Sequence, residues 1–174
     1  MYVLQELSAA PTQPWANGGG ATTELVSFAA SRSLGAGGVE WRLSVAQLKR
    51  PGAFSALPGV QRTFVPLDGA LTLVLDGRAH ELEAGTPLQF SGDAEVELTR
   101  LDAPGRALNL MVRGARPGQV IADDGSGRVP EGWLVALAEF EGDLAVATPS
   151  VTSLTPEPPQ VVDASAVRYF VIPA

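Results

Sequence analysis

The 174-residue chain is 45% hydrophobic, enough for a sizeable core, and carries 19 acidic against 12 basic side chains, a net charge of −7. That balance excludes the basic footprint of a nucleic-acid binder. The absence of cysteine excludes a disulfide framework and a thiol nucleophile, and the single histidine, His80, excludes multi-histidine metal sites.

The N-terminus, Met1 to Leu7, has neither the basic start nor the long apolar run of a secretory signal. No stretch reaches the roughly 20 apolar residues that span a bilayer. The expectation is a soluble, cytoplasmic protein with no membrane or nucleic-acid partner.

The first chemistry-bearing segment is Pro14-Trp15-Ala16-Asn17-Gly18-Gly19-Gly20-Ala21-Thr22-Thr23-Glu24. Three glycines in a row allow positive φ and close backbone approach. Asn17 and Thr22 can satisfy such a turn locally. The alternative is a loop that meets a carboxylate through Asn17 and backbone N–H groups, Gly19 included. A phosphate cradle is disfavoured, because the P-loop lysine and the G-x-G-x-x-G spacing are both missing. Beyond the turn, Thr22 and Glu24 alternate onto one strand face.

Prolines at 11, 14, 51, 58, 66 and 87 leave little room for a long helix in the first half. Short apolar runs between turn signals predict an all-β sandwich or barrel. Val39 to Val45 alternates, with Val39, Trp41, Leu43 and Val45 on one face and Glu40, Arg42 and Ser44 on the other. Leu71–Leu75, Asp76-Gly77 and Arg78–Leu82 predict a hairpin with a primed turn, and its late His80 is expected to be exposed or at an edge. Leu88 to Phe90 and Ala94 to Thr99 are further strands. In Ala107 to Arg113, the residues Leu108, Leu110 and Val112 oppose Asn109, Met111 and Arg113. Gly114 to Gly132 is polar and reads as a linker or long loop. Its Asp123-Asp124-Gly125-Ser126-Gly127 lacks the spaced ligands of a calcium loop. Trp133 to Ala138, Asp143 to Ala147 and Val167 to Ile172 are strands, with an extended connector at Thr155 to Pro159.

Five segments, in this order, carry a resemblance: Pro14 to Glu24; Trp41-Arg42-Leu43-Ser44-Val45-Ala46; Gly52-Ala53-Phe54-Ser55 with Leu57 to Thr63; Phe90-Ser91-Gly92-Asp93; and Leu108 to Arg113. Over residues 2–113 the chain resembles the HutD/Ves family, small bacterial proteins with a cupin-type β-barrel, often described as bicupins. The resemblance implies a cupin-like barrel over 1–113. A smaller β-rich part, 114–174, would pack on it as a reduced or degenerate second barrel. It also implies a site without the three-histidine, one-glutamate metal set of metal cupins, and no other cofactor. Family members are associated with histidine utilisation, where a metabolite such as N-formylglutamate or urocanate would be bound and pathway activity limited. The Ves branch is linked to stress or cold induction.

The candidate site residues follow from both lines. Arg42 either pairs with Glu40 or Glu24, or meets an anionic ligand if its face is the barrel interior, since a lone buried charge is costly. Arg62 is either a surface arginine or a second cation at the same pocket. Asn109 needs partners if buried, and the family motif turns it towards the pocket. Ser44, Thr22 and Asn17 would add hydrogen bonds. Met111 fills space beside them. Trp15 and Phe90 would be apolar walls, Phe90 and Phe54 otherwise reading as core. The leading expectation is non-enzymatic, metal-independent binding of a small carboxylate-bearing metabolite with a regulatory output. The alternatives are a metal-independent isomerase or hydrolase with Glu24 as general base, and an interaction protein with no ligand. An exposed β edge allows a homodimer.

Overall fold

The computed structural model describes residues 1–35, 37–149 and 167–173. In chain order the strands are β1 Tyr2–Glu6, β2 Thr12–Pro14, β3 Gly20–Val26, β4 Trp41–Leu48, β5 Gly52–Ala53, β6 Val60–Pro66, β7 Leu71–Leu75, β8 Arg78–Leu82, β9 Leu88–Ser91 and β10 Val96–Leu101. They continue as β11 Gly105–Arg113, β12 Gln119–Ala122, β13 Val135–Phe140, β14 Asp143–Thr148 and β15 Val167–Ile172. Among the described residues the one α-helix, α1, is Phe28–Ser31, followed by a 3₁₀ turn at Arg32–Leu34. Ser27 caps α1 by accepting from the Ala30 N–H at 3.0 Å.

The strands form three antiparallel sheets. A six-stranded sheet runs β2-β3-β4-β11-β6-β9, a five-stranded sheet β1-β14-β13-β15-β12, and a four-stranded sheet β5-β10-β7-β8. The six-stranded sheet is the middle layer, because both of its faces are packed. One face presents Trp41, Leu43, Val45, Leu108, Leu110 and Val112 to Leu4, Val120, Val135, Leu137, Val146 and Val171 of the five-stranded sheet. The other presents Ala46, Leu48, Phe64, Phe90 and Ala107 to Leu71, Leu73, Leu82, Val96 and Leu98 of the four-stranded sheet. The alternation in β4 and β11 therefore sorts residues between two different cores, as the period-two geometry of a strand requires.

Among the described residues none of these sheets closes on itself, which corrects the expected cupin-type barrel. The physical reason lies at the ends of the middle sheet. β2 is three residues long and ends in Pro14, which has no N–H to donate to a closing ladder. β9 is four residues long and pairs only with β6. Burial is achieved by stacking open sheets instead. A second correction concerns Gly114 to Gly132. It is not wholly loop, because Gln119–Ala122 is β12 and pairs with β15 from Gln119↔Ile172 to Ala122↔Tyr169. β1, from the very start of the chain, joins the late strands by pairing with β14.

The β7–β8 hairpin forms as expected. Asp76 and Gly77 both have positive φ, 45° and 80°, the primed-turn geometry that suits strand twist. His80 lies half-buried on the edge strand β8. The connector expected at Thr155 to Pro159 lies outside the described residues.

Candidate functional site

Three rungs of the middle sheet build the site. In register, Thr22, Ala46 and Ala107 form one rung across β3, β4 and β11. Glu24, Ser44, Asn109 and Phe64 form the next, on to β6. Arg42, Met111, Arg62 and Phe90 form the third, across β4, β11, β6 and β9. All point to the face opposite Trp41 and Leu43. Where that face is not covered by the four-stranded sheet, a cavity of about 380 Å³ remains.

Eight of the eleven expected residues line this cavity: Trp15, Asn17, Thr22, Arg42, Ser44, Arg62, Asn109 and Met111. Three do not. Gly19 is buried, with its N–H donated to Asn17 Oδ1 at 2.8 Å. Glu24 is spent on Arg42, accepting from its Nε at 2.5 Å. Phe90 lies under Arg62, with the guanidinium carbon 5.0 Å from its ring centroid. Gln13, Phe54, Ser55 and Leu57 also line the cavity. Phe54, read from sequence as core, is half-buried and does both jobs: it packs on Phe64 and walls the cavity. Its place beside a two-residue strand offers too little alternation to reveal this.

The glycine run shapes the loop that carries Trp15. Gly18 takes φ +67°. At Gly20 a Cβ would lie 2.1 Å from the Gln47 carbonyl oxygen and 3.2 Å from the Trp15 ring. The Trp15 indole N–H donates to Thr22 Oγ1 at 2.8 Å, and its ring meets Phe54 edge-on at 6.0 Å. Arg50 donates to the Asn17 carbonyl from the outside.

The two arginines differ sharply. Arg42 is ion-paired to Glu24, settling that part of the sequence alternatives, and Glu40 instead serves Arg32 and Arg113. Arg113 shares the pocket face of β11 but lies outside the cavity, stacked 4.4 Å over the Phe28 ring. Arg62 is only 6% exposed and donates to Asn109 Oδ1 at 2.9 Å. Phe54 and Phe90 lie 5.4 Å and 5.0 Å from its guanidinium carbon. Among the described residues no carboxylate pairs with it, and its Nε, like the Ser44 hydroxyl, is buried without a hydrogen-bond partner. Burial, reinforced by the neighbouring Arg42 charge, pulls its pKa down to about 10. Arg62 is therefore still a cation at neutral pH, but an uncompensated one. Among the described residues no three His, Asp or Glu side chains gather as a metal site.

The HutD family profile matches residues 7–124, which span the loop, all three rungs and both arginines. The chain belongs to the HutD family. A 21.2 kDa protein from the region 3′ of hutC in Pseudomonas putida is 37% identical over 117 residues, covering 64% of this chain and 59% of that one. Protein Ves of Cronobacter sakazakii is 35% identical over 108 residues, 59% of this chain and 56% of its own. The chain thus spans under three fifths of the curated relatives it matches. HutD from Pseudomonas fluorescens SBW25 shares the fold with a TM-score of 0.65 at 21% identity, over 99% of this chain and 96% of that one. A conserved protein of Pseudomonas aeruginosa PAO1 gives 0.62 at 24% identity, over 100% and 92%. The HutD family is linked to histidine utilisation by its name. Among the described residues no helix is long and apolar enough to cross a membrane.

Proposed function

We propose that this HutD-family chain binds a small, polar, carboxylate-bearing metabolite in the cavity, without turnover, and acts as a regulator in histidine catabolism. The observation that carries this reading is Arg62, a buried cation with no counter-ion among the described residues, facing the same cavity as an unpartnered Ser44 hydroxyl. A guanidinium stripped of water gains most from a planar carboxylate that accepts from two of its N–H groups at once. Ser44 would donate to the same anion. Asn109, by accepting from Arg62, holds the fork in place, and Trp15, Phe54 and Leu57 would enclose the apolar part of the ligand.

In this reading Glu24 is not a general base, because its carboxylate is engaged by Arg42. The protein works in the cytoplasm, needs no metal or cofactor, and acts alone or as a homodimer. The five-stranded sheet is the remnant of a second cupin unit.

The test is a thermal-shift series with N-formylglutamate, urocanate, glutamate and histidine. At least one should raise the melting temperature with concentration, by an amount equivalent to roughly 2.7 kcal/mol at 100 times its dissociation constant. The shift should vanish in Arg62→Met. Silence of every compound against the intact, folded protein removes the reading, and turnover of any of them replaces it with an enzymatic one.

A further inference from the structure

We propose that Glu24 sets the charge selectivity of the cavity: by neutralising Arg42 it leaves Arg62 as the single uncompensated cation, so the site favours ligands bearing one carboxylate and disfavours a second. The inference rests on the carboxylate reading above and sharpens it to a ligand class, a singly charged acid with an uncharged polar remainder.

The argument is one of local charge. Met111 stands opposite Arg42 on one neighbouring strand and opposite Arg62 on the other. Two strand spacings put the arginine backbones about 10 Å apart. Both side chains line the cavity, and Arg42 reaches Met111 Sδ with Nη1 at 3.9 Å. Among the described residues no other that lines the cavity is charged. Without Glu24 the wall would carry two positive charges, a seat for two carboxylates. With Glu24 bound to Arg42 at 2.5 Å, the second seat is already filled from within the protein. A ligand's second carboxylate would have to displace Glu24 or lie beside it, and like charges at such separations repel. The rest of the lining suits an uncharged tail: Gln13, Asn17, Thr22 and Ser55 offer neutral donors and acceptors. The Glu24 and Arg42 side chains are 33% and 24% exposed: Arg42 lines the cavity, and Glu24 holds it from just outside the lining, on the same face of the sheet.

The test uses size-matched probes, glutarate and monomethyl glutarate, titrated calorimetrically against the intact chain. The wild type should bind the monomethyl ester at least as tightly as glutarate. In Glu24→Gln, which keeps the shape and removes the charge, the preference should move towards glutarate by about tenfold. Arg42→Gln should move it the other way, glutarate losing more than the ester. An affinity ratio unchanged in Glu24→Gln overturns the proposal. If that variant fails to fold, equal losses of both probes in Arg42→Gln overturn it. Failure of the underlying reading looks different: neither probe binds the wild type, or both still bind Arg62→Met.

Discussion

Arg62 is held in a position that costs stability while the cavity is empty. Its pKa falls from the ordinary arginine range to about 10 on folding, so the charged form is disfavoured by roughly 3 kcal/mol. The penalty is full at any pH below about 10 and fades only as pH rises from there towards the ordinary arginine value. Two ring contacts and the Asn109 bond return part of it, each on the order of 1 kcal/mol. Arg62→Met should therefore leave the unliganded protein as stable as the wild type or up to about 2 kcal/mol more stable, read as the midpoint of a urea titration, while abolishing binding. A loss of more than about 1 kcal/mol would mean that the cation is structural. The sequence singled out Arg62 but left it between surface and pocket. Its burial comes from Phe54 and Phe90, which arrive from β5's flank and from β9, and no local pattern encodes that meeting. Arg42 was equally open between Glu24 and Glu40. Only the pairing of β3 with β4 brings Glu24 opposite Ser44, within reach of Arg42.

At the scale of elements, the glycine run separates into positions with different demands. Gly20→Ala must move either β4 or the Trp15 ring, since its Cβ would meet the Gln47 carbonyl oxygen at 2.1 Å. It should cost about 2–4 kcal/mol, as large steric changes do. Gly18→Ala only forces a side chain into the left-handed region at φ +67°, a cost of about 1–2 kcal/mol. Denaturant midpoints of the two variants should fall in that order, and equal midpoints would contradict the close approach at Gly20. Both substitutions should weaken ligand binding through the Trp15 loop. Strands with their own alternation, such as β4, β7 and β11, were legible in the sequence, and so was the Asp76-Gly77 turn. β12 was not, because Gln119–Ala122 is four residues set among Gly, Pro and Asp. It becomes a strand only when β15 lies beside it. Closure of a barrel was likewise not decidable from alternation, which says which side a residue faces but not whether the sheet ends meet.

For the molecule as a whole, the core between the middle and five-stranded sheets ties early and late residues together: Leu4, Leu43 and Leu110 share it with Val135, Val146 and Val171. The chain should consequently unfold in one cooperative transition, with calorimetric and van't Hoff enthalpies equal. Two separate transitions would mean that 1–113 and 114–174 fold independently. Leu110→Ala, at 0% exposure in the shared core, should lower stability by about 2–5 kcal/mol and shift that single transition intact. A second whole-molecule effect is acid sensitivity. Asp68 accepts from Arg106 Nε and Nη2 at 2.8 Å and 2.9 Å and from its backbone N–H at 2.9 Å. These bonds hold its carboxyl below the ordinary aspartate value, so their stabilisation is present above about pH 4 and is lost as pH falls through the lower, folded value. The pair is 41% exposed on each side, which limits its worth to about 1 kcal/mol. Asp68→Asn should lower the melting temperature at pH 7 and show a smaller further loss on acidification than the wild type. Sequence alternation showed the β4 faces, but not that one of them would be covered by residues from the far end of the chain.

The middle sheet has an informational consequence. Over Trp41–Val45 the odd-numbered residues Trp41, Leu43 and Val45 answer only to packing and the even-numbered Arg42 and Ser44 to the cavity, while Ala46, next along, both lines the cavity and packs in the second core. Over Trp41–Val45 the two requirements are interleaved yet share no side chain. Ligand preference can drift through substitutions at even positions while the fold's selection acts on the odd ones. A one-residue deletion or insertion in β4 beyond Leu43 confounds them, because with the following residues held in register it turns Arg42 into the core and Trp41 into the cavity at once.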